Sequence, residues 1–443
     1  MGHWPGGAAS NIGWAAVFAA VFAICYVQFL NRYFDYAGFA LYPRDLGLYV
    51  LTGVFAVAPS VAYRGHRALS SGIAVLIFVI LYVPIILTFA FASTAAESRI
   101  LAVQAVLAIG MSLIFLVDRL VIRNPLRLAL AFDLYPMVLG ATLCITLYML
   151  IVYRGSLSLV GFEDVYDLRS ANAELGAGVL TRYLSLWLLN VFIPLCLSFG
   201  LTARRPVYFV AGSAACLTIY MASAAKVAVL FPFVFAACYL LFANGRLGRI
   251  YPIVIMSLGA LMLVMLSVGV PGSPAFMAAS IVLYRTVGNA GLLTVVYDDF
   301  FAFHPQTNYA HINVLRTTTH AYPYGLEDVG AVVGRYYWTP DMNANANFFA
   351  TDGIAAAGIG GIWIATLGIL IVLAVMNSLT RPYERLFTFL CFLPFASALL
   401  NASLFTAVWS GGAVFLLVFF LLSARSIDAL REEESPALCI RVS

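Results

Sequence analysis

The sequence is almost without lysine: Lys226 is the only one among 443 residues, and charged residues of all kinds make up just 10%. Hydrophobic residues make up 63%, and the mean hydropathy is +0.96. A soluble domain needs far more polar surface to cover its core, so lipid is the solvent for most of this chain. Its few cations are scattered over short segments, which leaves no basic stripe for nucleic acid. Cysteine adds nothing to the framework. Cys25, Cys144, Cys196, Cys216, Cys238 and Cys391 lie in apolar runs and Cys439 in the C-terminal tail, so no two share a predicted external loop. That argues against a disulfide scaffold, and no Cys/His spacing suggests a bound metal. The first apolar run lacks a cleavage-like end and leads into Asn31–Arg32 and bulky aromatics, which reads as a retained helix rather than a signal peptide.

What the chain has instead is long apolar runs. A span needs about 20 apolar residues, and twelve segments qualify: 12–30, 47–63, 73–92, 100–117, 128–153, 184–201, 207–222, 227–243, 251–270, 356–376, 386–400 and 405–423. Lipid cannot satisfy an open backbone, so all are expected to be helices. The predicted class is an all-α polytopic membrane protein, with residues 1–443 as a single membrane domain. Five alternate connections carry Arg64/Arg67, Arg119/Arg123/Arg127, Arg204/Arg205, Arg246/Arg249 and Arg381/Arg385, against only Asp118 and Glu384. The positive-inside rule makes these loops, and both termini, cytoplasmic.

The opposite face carries a medium loop at 154–183 and a large one at 271–355, in which 276–301 reads as an amphipathic helix on or dipping into the membrane surface. The large loop is rich in Tyr, Phe, Trp and Asn, a composition that folds against something rather than staying disordered. Ionisable groups near a bilayer are expensive and mark function or a paired structural role. Lys226, in the turn Ser223–Lys226, is either a snorkelling helix-end residue or a point charge facing a phosphate. Arg169 either meets an anion or pairs with Asp167 or Glu174. In the large loop, Arg285 and Asn289 share a helix face. They are followed by Tyr297–Asp298–Asp299, His304, His311, Arg316, His320, Tyr322, Tyr324, Glu327, Arg335, Trp338 and Asp352. Rings interleaved with Arg, Asn and Asp suit a sugar groove, because ring faces stack on pyranose C–H groups while polar groups bond hydroxyls. A folded cap with interfacial tyrosines would look similar.

This pattern resembles the bacterial O-antigen polymerases, the Wzy-type oligosaccharide repeat-unit polymerases, which are related to the O-antigen ligases. The likeness is carried by Val165–Tyr166 to Arg169, the Ser223–Lys226 turn, Arg285 to Phe301, Tyr322–Pro323–Tyr324, and Asn347–Phe348–Phe349 to Asp352–Gly353. In topology it covers nearly the whole chain. Some members place a glycine ten residues after the loop arginine; neither Arg169 nor Arg285 has one.

The resemblance implies a GT-C-like glycosyltransferase of the bacterial inner membrane, acting on its periplasmic side. It would move a growing glycan from one polyprenyl diphosphate to the sugar of another lipid-linked repeat unit. Donor and acceptor would both be lipid-linked glycans in membrane lipid, a chain-length regulator would be a protein partner, and no cofactor or metal is called for. The leaving group is a lipid diphosphate, so fixed cations are needed where the anion forms. Arg169, Lys226, Arg285 and Arg316 are the expected clamp, with Arg182 and Arg335 behind them. A general base would deprotonate the attacking hydroxyl, with His311 and His320 the candidates and Glu327 and Asp352 behind them. Tyr297, Tyr322, Tyr324, Trp338 and Asn289 are the expected glycan contacts. An O-antigen ligase-type transferase and a lipid-linked glycan transporter (flippase) are the alternatives. The second should show internal repeats and charge within the spans, whereas here the charge lies in the loops.

Overall fold

A computed structural model describes residues 7–120, 130, 133–158, 178–223 and 225–423. Arg169, Arg123, Arg127 and the C-terminal tail with Glu432–Glu433–Glu434 and Cys439 therefore lie outside the described residues. Among those described there is no strand, and nine helices are long and apolar enough to cross a membrane. In chain order the helices are α1 (Ala8–Ala37), α2 (Leu46–Ala62), α3 (Leu69–Ala92), α4 (Glu97–Arg119), α5 (Tyr135–Val152), α6 (Val179–Thr202), α7 (Pro206–Ser223), α8 (Lys226–Phe242), α9 (Arg246–Val268) and α10 (Pro274–Phe303). Then come α11 (Asn313–Thr319), α12 (Val329–Tyr337), α13 (Phe349–Thr380), α14 (Arg385–Cys391), α15 (Leu393–Ala398), α16 (Leu404–Val408) and α17 (Ala413–Leu422). This is a polytopic helical membrane protein.

Of the twelve expected spans, 47–63 and 227–243 contain only the shorter apolar helices α2 and α8, and 405–423 is divided between α16 and the shorter apolar helix α17. The segment 386–400 is not one helix but two, α14 and α15, parted at Phe392. Pro394 explains the break: it fits the first turn of a new helix but disfavours helical backbone just before it.

The expected amphipathic surface helix at 276–301 is α10. Phe276 near its start stacks on Phe34 at the end of α1, and Asp299 near its end bonds Thr94 just past α3, so α10 runs along the ends of these spans; from Ala290 to Phe301 it is buried on nearly every side. On that helix Arg285 is exposed and Asn289 half-buried, while Thr294 and Asp298 form an internal seam. Thr294 accepts from Asn347 Nδ2 at 2.8 Å, and Asp298 pairs with Arg99.

Two π-helical stretches, Ile77–Tyr82 in α3 and Leu188–Phe192 in α6, each stand just before a proline, Pro84 and Pro194. Proline brings no N–H and crowds the carbonyl a turn back, and a widened turn relieves both. Similar stretches at Tyr26–Asn31 in α1, Ser280–Gly288 in α10 and Phe349–Ala355 in α13 have no proline just after them.

The chain falls into two compact units. The first comprises Met1–Val121, Gly248–Val375 and Ala396–Thr406, with α3 and α10 at its centre. At Gly291 an added Cβ would stand 2.4 Å from Thr88 Oγ1 and 2.8 Å from the Pro84 carbonyl, so glycine is what lets these two helices touch. Stacked Tyr63 and Tyr251, with centroids 4.8 Å apart, join Phe78 and Phe115 in an aromatic core. The second unit comprises Ile122–Leu247, Met376–Phe395 and Ala407–Ser443. There Tyr135 lies flat on Phe199 at 3.9 Å, and Tyr383 donates to the Phe420 carbonyl at 3.0 Å.

Within the first unit α13 is kinked, with Ala357 and Gly358 leaving helical geometry and Gly358 at φ +62°. The carbonyls of Ala355 and Ala356 are met by the N–H groups of Thr307 and Asn308, at 2.8 and 3.1 Å. The segment after α10 is thereby stitched to the start of α13.

Candidate functional site: a cavity at the ends of α1, α3 and α10

Successive helical residues point about 100° apart, so Asp298 and Asp299 serve different neighbours. Asp298 is 3% exposed and takes a two-pronged bond from Arg99, Nη2 to Oδ1 at 2.7 Å and Nε to Oδ2 at 3.0 Å. Asp299 accepts from Thr94 Oγ1 at 3.1 Å through Oδ1 and from the Tyr337 phenol through Oδ2. Burial first, and then the Asp299 carboxylate, hold the Tyr337 phenol far above its ordinary range.

Asp299 lines a cavity of about 900 Å³. The end of α1 gives Arg32, Asp35 and Tyr36 to its wall; Tyr42, Tyr337 and Trp338 add further rings, and Leu292, Val295 and Val296 of α10 an apolar side. The turn after α1 is held rigidly. Asn31 Nδ2 donates to the Phe39 carbonyl at 2.9 Å, Tyr26 to that of Ala40 at 2.8 Å, and Trp338 Nε1 to that of Ala37 at 3.2 Å. Charge in the lining is one guanidinium against two carboxylates. Such a surface can stack sugar rings and accept hydroxyl protons.

Of the expected glycan contacts, Trp338 alone lines this cavity. Tyr297 is fully buried and bonds the Ala344 carbonyl at 3.0 Å. Tyr322 and Tyr324 belong to the cap, where their phenols donate to the carbonyls of Glu327 and Pro305. Burial pushes each of these two up to about 12. Asn289 is half-buried on α10.

The expected base residues are also placed. His311 and Asp352 meet, Nε2 to Oδ1 at 3.1 Å; Thr307 Oγ1 lies 3.0 Å from His311 Nδ1, and the Leu404 N–H donates to Asp352 Oδ2 at 2.6 Å. Both ring nitrogens and both carboxylate oxygens are thus engaged, with each side chain 9% exposed. Beside them Tyr309, left-handed at φ +64°, has its phenol raised by burial and by the Asp352 charge. Glu327 is held by Arg335 in a two-pronged pair, one arm at 2.6 Å, which lowers the carboxyl. His320 is exposed at the end of α11, with φ +50°.

The expected phosphate cations divide between the units. In the first, Arg335 shares its charge with Glu327, and Arg316 lies 4.0 Å over the Tyr322 ring and donates to the Glu327 carbonyl at 2.7 Å. Arg285 is exposed on the π-helical part of α10 and is neutralised by no acid among the described residues. In the second, Arg182 lies 6.0 Å over Tyr183, and Lys226 opens α8.

Sequence reasoning gave no site role to Arg32, Asp35, Tyr36 or Tyr42. Their signal was an Arg and an Asp three apart among aromatics where the first apolar run ends. Among the described residues no group of three His, Cys, Asp or Glu is placed to hold a metal ion. In comparisons with known proteins, no family model matches the chain, and no curated protein and no solved structure matches it significantly.

Proposed function

We propose that this chain is a membrane glycosyltransferase of the O-antigen polymerase type, joining polyprenyl-diphosphate-linked repeat units into a surface polysaccharide. The observation that carries the reading is the cavity where α1, α3 and α10 end. Its size falls within the roughly 300–1,000 Å³ of small-molecule sites, and its walls combine four aromatic rings with Arg32, Asp35 and Asp299. The arginine-rich short loops of the sequence put this end of the spans on the non-cytoplasmic side, where lipid-linked repeat units are polymerised.

The chemistry asks for little more. Attack by an acceptor hydroxyl at the donor's anomeric carbon expels a lipid diphosphate, and fixed positive charge lowers the energy of that developing anion. Arg285 offers a guanidinium that no acid among the described residues neutralises, whereas Arg335 is already spent on Glu327. The Thr307–His311–Asp352 chain, whose His and Asp side chains are each only 9% exposed, fastens the segment after α10 to α13.

Deletion of the gene followed by gel analysis of surface polysaccharide tests the reading. Single repeat units capped on the core are expected. Loss of all capping would move the assignment to a ligase, and normal ladders would remove both.

A further inference from the structure

We infer that the cavity beside Asp299 is the acceptor-sugar subsite and that Asp299 is the group that takes the proton from the attacking hydroxyl; the inference rests on the polymerase reading. The charge of the lining separates donor from acceptor. A diphosphate would bring at least two negative charges into a space already holding Asp35 and Asp299 against Arg32 alone, a like-charge placement that costs rather than gains. A neutral, hydroxyl-rich sugar meets no such penalty. Its ring faces find Tyr36, Tyr42 and Trp338, and its hydroxyls find two carboxylates that only accept.

Asp299 is also prepared for the role. The Thr94 hydroxyl and the Tyr337 phenol each donate to one oxygen and fix the plane of the carboxylate. A carboxylate has about four lone-pair sites, so two remain for a substrate hydroxyl. The group is half-buried, not sealed, unlike Asp298 one residue earlier and Asp352 in α13. The neighbouring Arg99–Asp298 bond ties α10 to the start of α4, which holds Asp299 against the cavity. In the step, the acceptor oxygen forms its bond to the donor's anomeric carbon as the bond from that carbon to the phosphate oxygen breaks. The electron pair leaves with the lipid diphosphate, and the hydroxyl proton passes to Asp299 and then to water. Thr94 and Tyr337 are positioning residues.

The test uses the full chain in lipid nanodiscs, with the repeat-unit oligosaccharide released from the host's own polysaccharide as the binding probe and the lipid-linked repeat unit as substrate. Asp299→Asn keeps the shape of the side chain. It should bind the oligosaccharide within about threefold of wild type by saturation-transfer NMR while chain extension falls by about 10²–10⁴-fold, the range general bases supply. Tyr337→Phe should lower the rate about tenfold with little change in KM, and Tyr337→Ala should not be milder. Inorganic pyrophosphate should fail to displace the oligosaccharide. Extension at the wild-type rate by Asp299→Asn would overturn the assignment of the proton acceptor and leave the polymerase reading standing. Displacement by pyrophosphate would make the cavity a donor site and overturn the acceptor assignment. Normal polysaccharide in the deletion strain would remove the polymerase reading and this inference with it.

Discussion

Removing Arg99 should cost more than removing its partner's charge, and the difference can be worked from the pair's geometry. The Asp298 carboxylate is 3% exposed and takes both of its described bonds from Arg99, whose side chain is 35% exposed. In Arg99→Ala the carboxylate stays buried with its donors gone, a loss of about 3–5 kcal/mol for a broken buried pair. In Asp298→Asn the buried atom set is neutral, and the guanidinium can turn to water through its exposed third. About 1–2 kcal/mol is then the expected cost, that of one weakened bond to a charged group. The double variant Arg99→Ala with Asp298→Asn should recover roughly 2 kcal/mol of the Arg99→Ala loss, since no uncompensated charge remains. Arg99→Met with Asp298→Leu should be near neutral, within about 1 kcal/mol, as apolar replacements of buried pairs often are. Unfolding by SDS titration in mixed bicelles, followed by tryptophan fluorescence, reads all four. Equal losses in the two single variants, or a larger one in Asp298→Asn, would refute the claim that burial falls on the carboxylate.

Three further outcomes follow from the same structure. Asn347 is fully buried, gives Nδ2 to Thr294 and accepts from the N–H groups of Phe349 and Ala350 at 3.0 and 3.2 Å; Asn347→Leu leaves those donors bare, so about 2–4 kcal/mol should be lost, and a loss under about 0.5 in the same titration would contradict it. Tyr322 and Tyr324 have phenols raised to about 12 from the ordinary 10, so the neutral forms stabilise the cap fully below pH 10 and that contribution disappears as pH rises from 10 to 12; absorbance at 295 nm with melting at pH 9, 10 and 11 should show the loss, which should shrink in Tyr322→Phe/Tyr324→Phe. Arg285→Ala should abolish chain extension with protein abundance unchanged, and normal ladders from both Arg285→Ala and Arg285→Lys would remove this residue from the diphosphate's path.

The helical membrane architecture was written in the sequence because its cause is local. Runs of apolar residues have no other stable conformation in lipid, and most segments longer than a span's length are found where composition placed them. Prolines could be read too: Pro394 divides a segment that hydropathy alone joins, and Pro84 and Pro194 mark the widened turns before them. Tertiary structure decided what the polar residues mean. The Thr and Asp of α10 find their partners far along the chain, in Asn347 and in Arg99, the latter 199 residues from Asp298. His311 and Asp352 each suggested a base, and only their meeting across 41 residues engages both. Arg32 and Asp35 end the first apolar run unremarkably, yet they share a cavity with Asp299 and Trp338 from the far part of the unit. Burial of an apolar run is set by its own composition, whereas the worth of a charge is set by the partner and the water around it, and distant segments supply both.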